Sequence, residues 1–322
     1  MPAPRRRRRW GRVLLVVLGA WLVFLVAVPI WAWSHIGQVD AEPVGDRPAA
    51  TPGSTYLLVG SDSREGLTAR QRRQLSTGDA AGRRTDTILL LHSPRFGGPT
   101  LLLSLPRDSI VDIPGRGEDK INAAYPYGGP DLLVRTVEQE TGLRVDNYVE
   151  IGFGGFVGVV DAVGGIEICP RTAMRDPRAG LDIEQGCQEA DGATALGYVR
   201  SRYVSAGGDI DRARRQREVV GKVAGKAASP WTVLNPVRYV RTAGSGADAI
   251  RIGEDVGPFD LARFAWAMRK VTGDDGLTCT VPIVDLAVHW DEARAEELFE
   301  LIRQDDTGDI SRDLCTRDGL PR

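Results

Sequence analysis

The first strong pattern along the chain is an unbroken one: Val13 to Trp33 runs for 21 residues without a charged side chain and is mostly apolar. A helix of that length covers the roughly 30 Å of hydrocarbon in a bilayer. Cleavable leaders have shorter apolar cores and end in a small-residue motif, so this run reads as an uncleaved anchor. Ser34 to Gly53, punctuated by Pro43, Pro48 and Pro52, predicts an extended tether. Beyond it the pattern changes to short runs of Leu, Ile and Val bounded by Gly, Ser or Pro, at Tyr56–Val59, Thr87–Leu91 and Leu101–Leu105. Such runs predict strands buried on both faces.

Helical spacing of Leu133, Val134 and Val137 predicts a helix over Asp131–Thr141, stopped by Gly142. Tyr148–Ile151 reads as a strand, Phe153–Val163 as a helix closed by Gly164, and Gly165–Ile168 as a strand. Helices follow at Asp191–Arg200 and Asp211–Lys226, and Pro236–Asp255 reads as loop-like. A helix from Pro258 to Gly273, a strand over Thr278–Val284 and a helix over Asp291–Arg303 complete the pattern. The alternation predicts an α/β fold, with a mixed central β-sheet flanked by helices and preceded by one N-terminal transmembrane helix. Four regions result: a basic arm over 1–12, the span over 13–33, a linker over 34–53 and one domain over 54–322.

Charge gives the expected topology. Arg5 to Arg9 and Arg12 precede the span and no Lys or Arg follows it until Arg47, so the positive-inside rule puts the arm in the cytoplasm. The domain is then extracellular, on a single-pass protein of the cell membrane. Without the six arginines of the arm, 35 basic side chains face 43 acidic ones, a net charge of −8 that disfavours nucleic acid as a partner. All four cysteines fall in the external part, as suits an oxidising compartment. Proximity favours Cys169 with Cys187 and Cys279 with Cys315, each bridge worth roughly 3–4 kcal/mol by loop entropy; the other two pairings stay open. No C-x-x-C pair points to zinc.

The chemistry gathers in five patches. The richest is Y-V-R-S-R-Y-V-S-A-G-G-D-I-D-R-A-R-R-Q, Tyr198 to Gln216, where Arg200, Arg202, Arg212, Asp209 and Gln216 surround a short Gly-containing loop. Guanidinium forks suit bidentate contact with phosphate oxygens, and several together suit a pyrophosphate. Arg200 and Arg202 alternate as on a strand or extended turn, which would let both face one ligand. Gly60-Ser61-Asp62-Ser63-Arg64 follows the first strand, Arg84-Thr85-Asp86 precedes the second, Pro106-Arg107-Asp108 follows the third, and Lys120-Ile121-Asn122 lies in the next loop. Ends of strands are where open α/β sheets gather ligands. Asp62 and Asp86 are the natural ligands for a magnesium ion, a hard cation that takes carboxylate oxygens. Singly, each such Asp or Arg is an ordinary turn residue or cap; five patches in one domain argue otherwise.

Taken in order, G-S-D-S-R, R-T-D-T-I, L-P-R-D, K-I-N-A-A-Y-P-Y-G-G and V-R-S-R followed by G-D-I-D-R-A-R-R-Q resemble the motifs of LytR-CpsA-Psr proteins, over about Tyr56 to Lys226. The resemblance implies an Mg²⁺-dependent phosphotransferase that moves a glycopolymer from a polyprenyl-pyrophosphate carrier to peptidoglycan. It implies that Asp62 and Asp86 hold the metal, and that Arg84, Arg107, Arg200, Arg202, Arg212 and Gln216 surround the pyrophosphate, with Arg64, Lys120, Asn122 and Asp209 in support. Tyr203 departs from the pattern, standing where many members carry His, and has no assigned role. The long link from Glu65 to Gly82, with a helix expected near Thr68–Leu75, and the C-terminal part over 227–322 fall outside what the motifs explain. A lipid tail needs an apolar slot, for which Val137, Phe153, Phe156, Val157, Val160 and Val163 are candidates, each equally at home in an ordinary core.

Competing signatures are poor. No Walker A motif occurs, G-F-G-G-F-V-G at Gly152–Gly158 lacks dinucleotide spacing, and no S-x-x-K or G-x-S-x-G is present. Two other readings share the phosphate clamp: a polyprenyl-pyrophosphate hydrolase, which accepts water, and a non-catalytic receptor for lipid-linked glycans.

Overall fold

The apolar N-terminal segment forms one helix, Arg6–Trp33 (α1), whose Trp10–Trp33 stretch contains an 18-residue window of mean hydropathy 2.9 and is long enough to cross a membrane. The chain continues through β1 (Gly37–Val39), β2 (Ser54–Ser61), α2 (Ala69–Gln74), β3 (Thr85–Ser93), β4 (Thr100–Leu105), β5 (Ile110–Ile113), β6 (Gly117–Lys120), α3 (Ala124–Thr141), β7 (Asn147–Ile151) and α4 (Phe153–Ala162). Next come β8 (Ile166–Ile168), β9 (Met174–Asp176), β10 (Leu181–Ile183), β11 (Gln188–Ala190), α5 (Gly192–Arg200), α6 (Gly208–Ala227), α7 (Pro230–Leu234) and α8 (Pro236–Ala249). The last elements are β12 (Ile250–Gly253), α9 (Pro258–Val271), β13 (Gly276–Thr280) and α10 (Glu292–Arg303). This computed structural model describes residues 6–63, 68–75, 85–201, 208–227, 229–271, 273, 276–285 and 288–321.

Seven strands form one sheet in the order β1-β12-β7-β2-β3-β4-β13. It is mixed: β7 runs parallel to β2 and β13 parallel to β4, whereas β2, β3 and β4 form an antiparallel meander. Period two explains why its central strands read as continuous apolar runs. Leu57, Val59, Ile88, Leu90, Leu101 and Leu103 enter one core with Leu133, Val134 and Val137 of α3 and Leu298, Phe299 and Ile302 of α10. The alternate residues Tyr56, Leu58, Leu89, Leu91 and Leu102 pack on the other face against α9, with Val220 and Ala224 of α6 beside them. Complete burial of a Leu or Ile is worth about 1.5–3 kcal/mol, and a strand covered on both faces gains this at every position. The result is an α/β fold with a central mixed sheet flanked by helices. A third cluster, around Val160, Val163, Ile166 and Ile168, sits beneath the small β8–β11 ladder and α5.

Two segments differ from their sequence pattern. Ser34–Gly53 is not a free tether: β1 pairs in parallel with β12, Ala41 is buried, and Arg47 donates from Nη2 to Glu138 Oε1 and to the Val145 carbonyl, each at 2.7 Å. Prolines remove a ladder donor only at their own positions, which left room for a short strand and for one arginine to find a buried carboxylate. Pro236–Asp255 is not a loop but α8 and β12. Asn235 caps α8 by accepting the Arg238 N–H at 3.0 Å, and Pro236 occupies its first turn. Glycines masked this helix; an added Cβ at Gly244 would stand 3.1 Å from the Trp31 ring, so the small residue admits α1.

Both disulfides join the sequence neighbours, Cys169 to Cys187 and Cys279 to Cys315. The second ties β13 to the C-terminal segment, where Arg217 donates to Thr280 Oγ1 at 3.0 Å and to the Arg317 carbonyl at 2.7 Å. Burial lowers the Arg217 guanidinium to about 10. Its task is therefore to seat the C-terminal segment.

Candidate active site

Antiparallel pairing brings three of the five patches to one edge of the sheet. The C-terminal end of β2, the start of β3 and the end of β4 are adjacent there, because Ser61 pairs with Thr85 and Ile88 with Leu105. The β2–β3 register shifts between Gly60 and Ser61, a bulge that re-aims the end of β2. Gly60 has no room for a side chain: a Cβ would lie 2.9 Å from that of Thr87.

Arg107 is the hub of this edge. Its Nη1 donates to Asp86 Oδ1, and its Nε donates to Asp108 Oδ2 at 3.2 Å. Lys120 Nζ donates to Asp108 Oδ1 at 2.9 Å, so Asp108 bridges the two cations. The Asn122 N–H closes the loop onto the Arg107 carbonyl at 3.2 Å. Lys120 and Asn122 thus stand behind Arg107. Sequence reasoning left Asp108 without a role, although its carboxylate turns the Arg107 fork toward Asp86.

From the other side, Arg212 and Gln216, one turn apart on α6, are buried beside Asp86. Asp86, Arg107, Arg212 and Gln216 line a small cleft together with Thr87 and Asp108. Asp86, Thr87, Arg212 and Gln216 also line a second, much larger cavity of about 1100 Å³. The two spaces therefore share a polar wall. Most of the remaining wall of the large cavity is apolar, with Leu58, Leu89, Phe156, Val220, Ala224 and Met268 along it, and the cavity reaches Pro29, Ile30 and Trp33 of α1.

Arg200 is not on an extended segment. It ends α5, its guanidinium carbon lies 4.9 Å from the Phe153 ring centroid, and its Nη1 donates at 2.9 Å to the Leu75 carbonyl at the end of α2. The helical spacing of Ala195, Leu196 and Val199 overrides the local R-x-R alternation. Of the expected slot residues, Phe153 and Phe156 line the cavity. Val157, Val160 and Val163 belong to the cluster under β8, and Val137 to the core on the opposite face. Asp176 and Arg178, from the β9–β10 hairpin, line the cavity without having been singled out in sequence, since nothing local ties that hairpin to α5. Arg215 turns toward α5 instead, over the Tyr198 ring and onto the Ser201 carbonyl.

Arg64, Arg84 and Arg202 lie outside the described residues, as does the side chain of Asp209 in the first turn of α6. Asp62 is half-buried just beyond β2. Ser61 and Thr85, paired at the same strand ends, carry buried hydroxyls that find no hydrogen-bond partner among the described residues. With the Asp86 carboxylate of the same sheet edge they are hard oxygen donors, the kind that suits a divalent cation such as magnesium or calcium.

Comparison with known proteins identifies the family and the fold. The profile of the LytR_cpsA_psr family matches residues 35–249. The probable cell wall biosynthesis protein LcpB of Corynebacterium glutamicum is 50% identical over 295 residues, covering 89% of this chain and 70% of its own. The polyisoprenyl-teichoic acid–peptidoglycan teichoic acid transferase TagU of Oceanobacillus iheyensis is 33% identical over 247 residues, 70% of this chain and 72% of its own. Among solved structures, the LytR-Csp2A-Psr enzyme from Actinomyces oris superposes with a TM-score of 0.63 at 22% identity, covering 83% of this chain and 95% of its own, and shares the fold. By its motifs, its sheet and the match across two thirds of its length, the chain belongs to the LytR-CpsA-Psr family.

Proposed function

We propose that this protein is a membrane-anchored phosphotransferase that moves a glycopolymer from a polyprenyl-pyrophosphate carrier to peptidoglycan. The observation that carries the reading is the shared wall: Asp86, Arg212 and Gln216 line both a charged cleft containing Arg107 and a large apolar cavity. A ligand that fills the large cavity and reaches its charged wall has a charged head and a long hydrocarbon tail. TagU, the relative named above, is by its name a transferase between such a lipid and peptidoglycan.

Arg107 and Arg212 would hold the pyrophosphate by charge-assisted hydrogen bonds, strengthened by the burial of Arg212. Gln216 can donate and accept beside them, and Arg200, propped on Phe153, would guard the junction of head and tail. An acceptor hydroxyl, by family resemblance the 6-hydroxyl of muramic acid, attacks the phosphorus attached to the sugar. The bridging P–O bond breaks, polyprenyl phosphate leaves, and the hydroxyl proton passes to solvent or to a carboxylate. Arginine forks placed in advance stabilise the charge that builds on the leaving phosphate, the usual means of catalysing phosphoryl transfer. Asp62 and Asp86 would hold Mg²⁺, which supplies charge neutralisation on the phosphate oxygens when bound. The arginine-rich arm would keep the N-terminus cytoplasmic and the domain outside.

Incubating purified protein with a lipid-linked saccharide, with and without peptidoglycan oligomers, separates transferase from hydrolase. Joined product that appears only with the oligomers is the expected result; free saccharide phosphate with every acceptor would replace the ligase with the hydrolase.

A further inference from the structure

α1 does not leave the domain at its end. Val28 and Ala32 are buried, and Trp21, Phe24, Leu25 and Trp33 on the same stripe are partly covered. The cover is α8: the Tyr239 hydroxyl donates to the Leu25 carbonyl at 3.0 Å, the Phe24 and Tyr239 rings lie 5.9 Å apart, and Gly244 admits the Trp31 ring. Leu25 pairs with residue 239 and Trp31 with residue 244, so α8 runs in the same direction as α1. Its N-terminal turn therefore lies toward the middle of the span, and α7 packs against α8. At 1.5 Å per residue, Leu25 is about 12 Å inside Trp33, within the roughly 15 Å depth of one leaflet's hydrocarbon.

What α7 and the start of α8 expose is mostly apolar. Trp231 is 77% exposed, Leu234 61% and Val237 59%, with Val240 following at helical spacing. Four large apolar side chains on neighbouring turns form a patch that water would not stabilise. Arg241, exposed two residues beyond Tyr239 on the same helix, has a stem long enough to reach headgroups from within the boundary. α9, which lines the same cavity, exposes Phe259 and Trp266 next to Arg263 and Arg269.

We propose that α7 and the first turns of α8 form a second membrane element, sunk beside α1 into the outer leaflet of an anionic bilayer. The inference rests on α1 spanning the membrane, as read above. It gives the apolar cavity a doorway: Ala243, Gly246 and Ala247 of α8 line that cavity together with Pro29, Ile30 and Trp33 of α1. A lipid tail would slide in sideways from the leaflet, with no passage through water.

Because all four native cysteines are bridged, one added cysteine is a single labelling site. The full chain, carrying Leu234→Cys or Val237→Cys with an environment-sensitive fluorophore, is reconstituted in phosphatidylcholine–phosphatidylglycerol vesicles with a quencher on the acyl chains. Val23→Cys, on the exposed side of α1, reports the span, and Glu297→Cys on α10 reports the water-facing side. Labels at Leu234 and Val237 are expected to be quenched as strongly as that at Val23, with none at Glu297. Quenching at Val23 but not at Leu234 or Val237 would overturn the second element and leave the anchor standing. Loss of quenching at Val23 as well would overturn both. Labels at Leu234 and Val237 that sit in an apolar setting yet resist the lipid quencher would mean a protein cover, which also overturns the proposal.

Discussion

Arg107 and Asp86 meet across two antiparallel strands, the arginine just past the end of β4 and the aspartate near the start of β3. Asp108 holds the opposite side of the same guanidinium at 3.2 Å. An arginine held on two edges of its guanidinium is fixed in orientation, which a lysine cannot be. Arg107→Lys is therefore expected to lower kcat/KM for glycopolymer transfer by about tenfold to a hundredfold while the domain stays folded. Steady-state kinetics on the lipid-linked saccharide measures this. Wild-type turnover in the lysine variant would show that charge alone matters at this position.

Filling the apolar cavity should act on the tail and spare the clamp. Ala265 lines it from an exposed turn of α9 and Ala224 from α6. Ala265→Phe adds bulk without crowding a packed core, whereas Ala224→Phe risks the roughly 1–3 kcal/mol cost of overpacking. Mass spectrometry of polyprenyl phosphate carried through purification is expected to show about a tenfold loss in Ala265→Phe, corresponding to about 1.4 kcal/mol of binding. Unchanged lipid content would place the tail elsewhere.

A buried histidine far from the clamp makes stability depend on pH. His92 Nε2 lies 2.9 Å from Asp305 Oδ1 and Nδ1 lies 3.0 Å from Thr55 Oγ1. Burial outweighs the carboxylate and lowers the imidazole below its ordinary value, so the folded protein holds it neutral. The unfolded chain takes up a proton near pH 6.5 and the folded one resists until lower pH, so its contribution is complete above about 6.5 and declines as pH falls. Urea midpoints measured from about pH 7.5 down to about pH 5.5 should fall more steeply in the native protein than in His92→Gln, by at most about 1.4 kcal/mol per pH unit. Parallel slopes would mean that His92 is protonated in the fold.

Much of this arrangement was legible in the residues. Strands β2, β3 and β4 announced themselves as apolar runs ended by Gly, Ser and Pro, and the charged residues sat at those ends, so an antiparallel meander was enough to collect them. Arg200 was harder: R-x-R looks extended in isolation, and only the apolar spacing of Ala195, Leu196 and Val199 upstream makes it the last turn of a helix. The cavity was legible only in part, because its walls come from α1, α4, α6, α8 and α9, far apart in sequence. Only Phe153 and Phe156 of the expected slot face it, since a helix rich in Phe and Val gives no local sign of which side meets a void and which a packed ladder. Asp108 was visible within L-P-R-D, yet its service to Arg107 and Lys120 appears only in three dimensions.

Transfer by Asp86→Ala and Arg107→Ala tests the central claim most directly. Each variant, checked for folding by circular dichroism, is incubated with a polyprenyl-pyrophosphate-linked saccharide, peptidoglycan oligomers and Mg²⁺, and the joined product is measured by mass spectrometry; EDTA is added to the native protein in parallel. Removing one charged partner from a pre-organised phosphoryl-transfer site costs on the order of a hundredfold or more in rate. Loss of joined product of that order in both folded variants, matched by EDTA, is the predicted result. Joined product at near the native rate in both variants would contradict the pyrophosphate clamp.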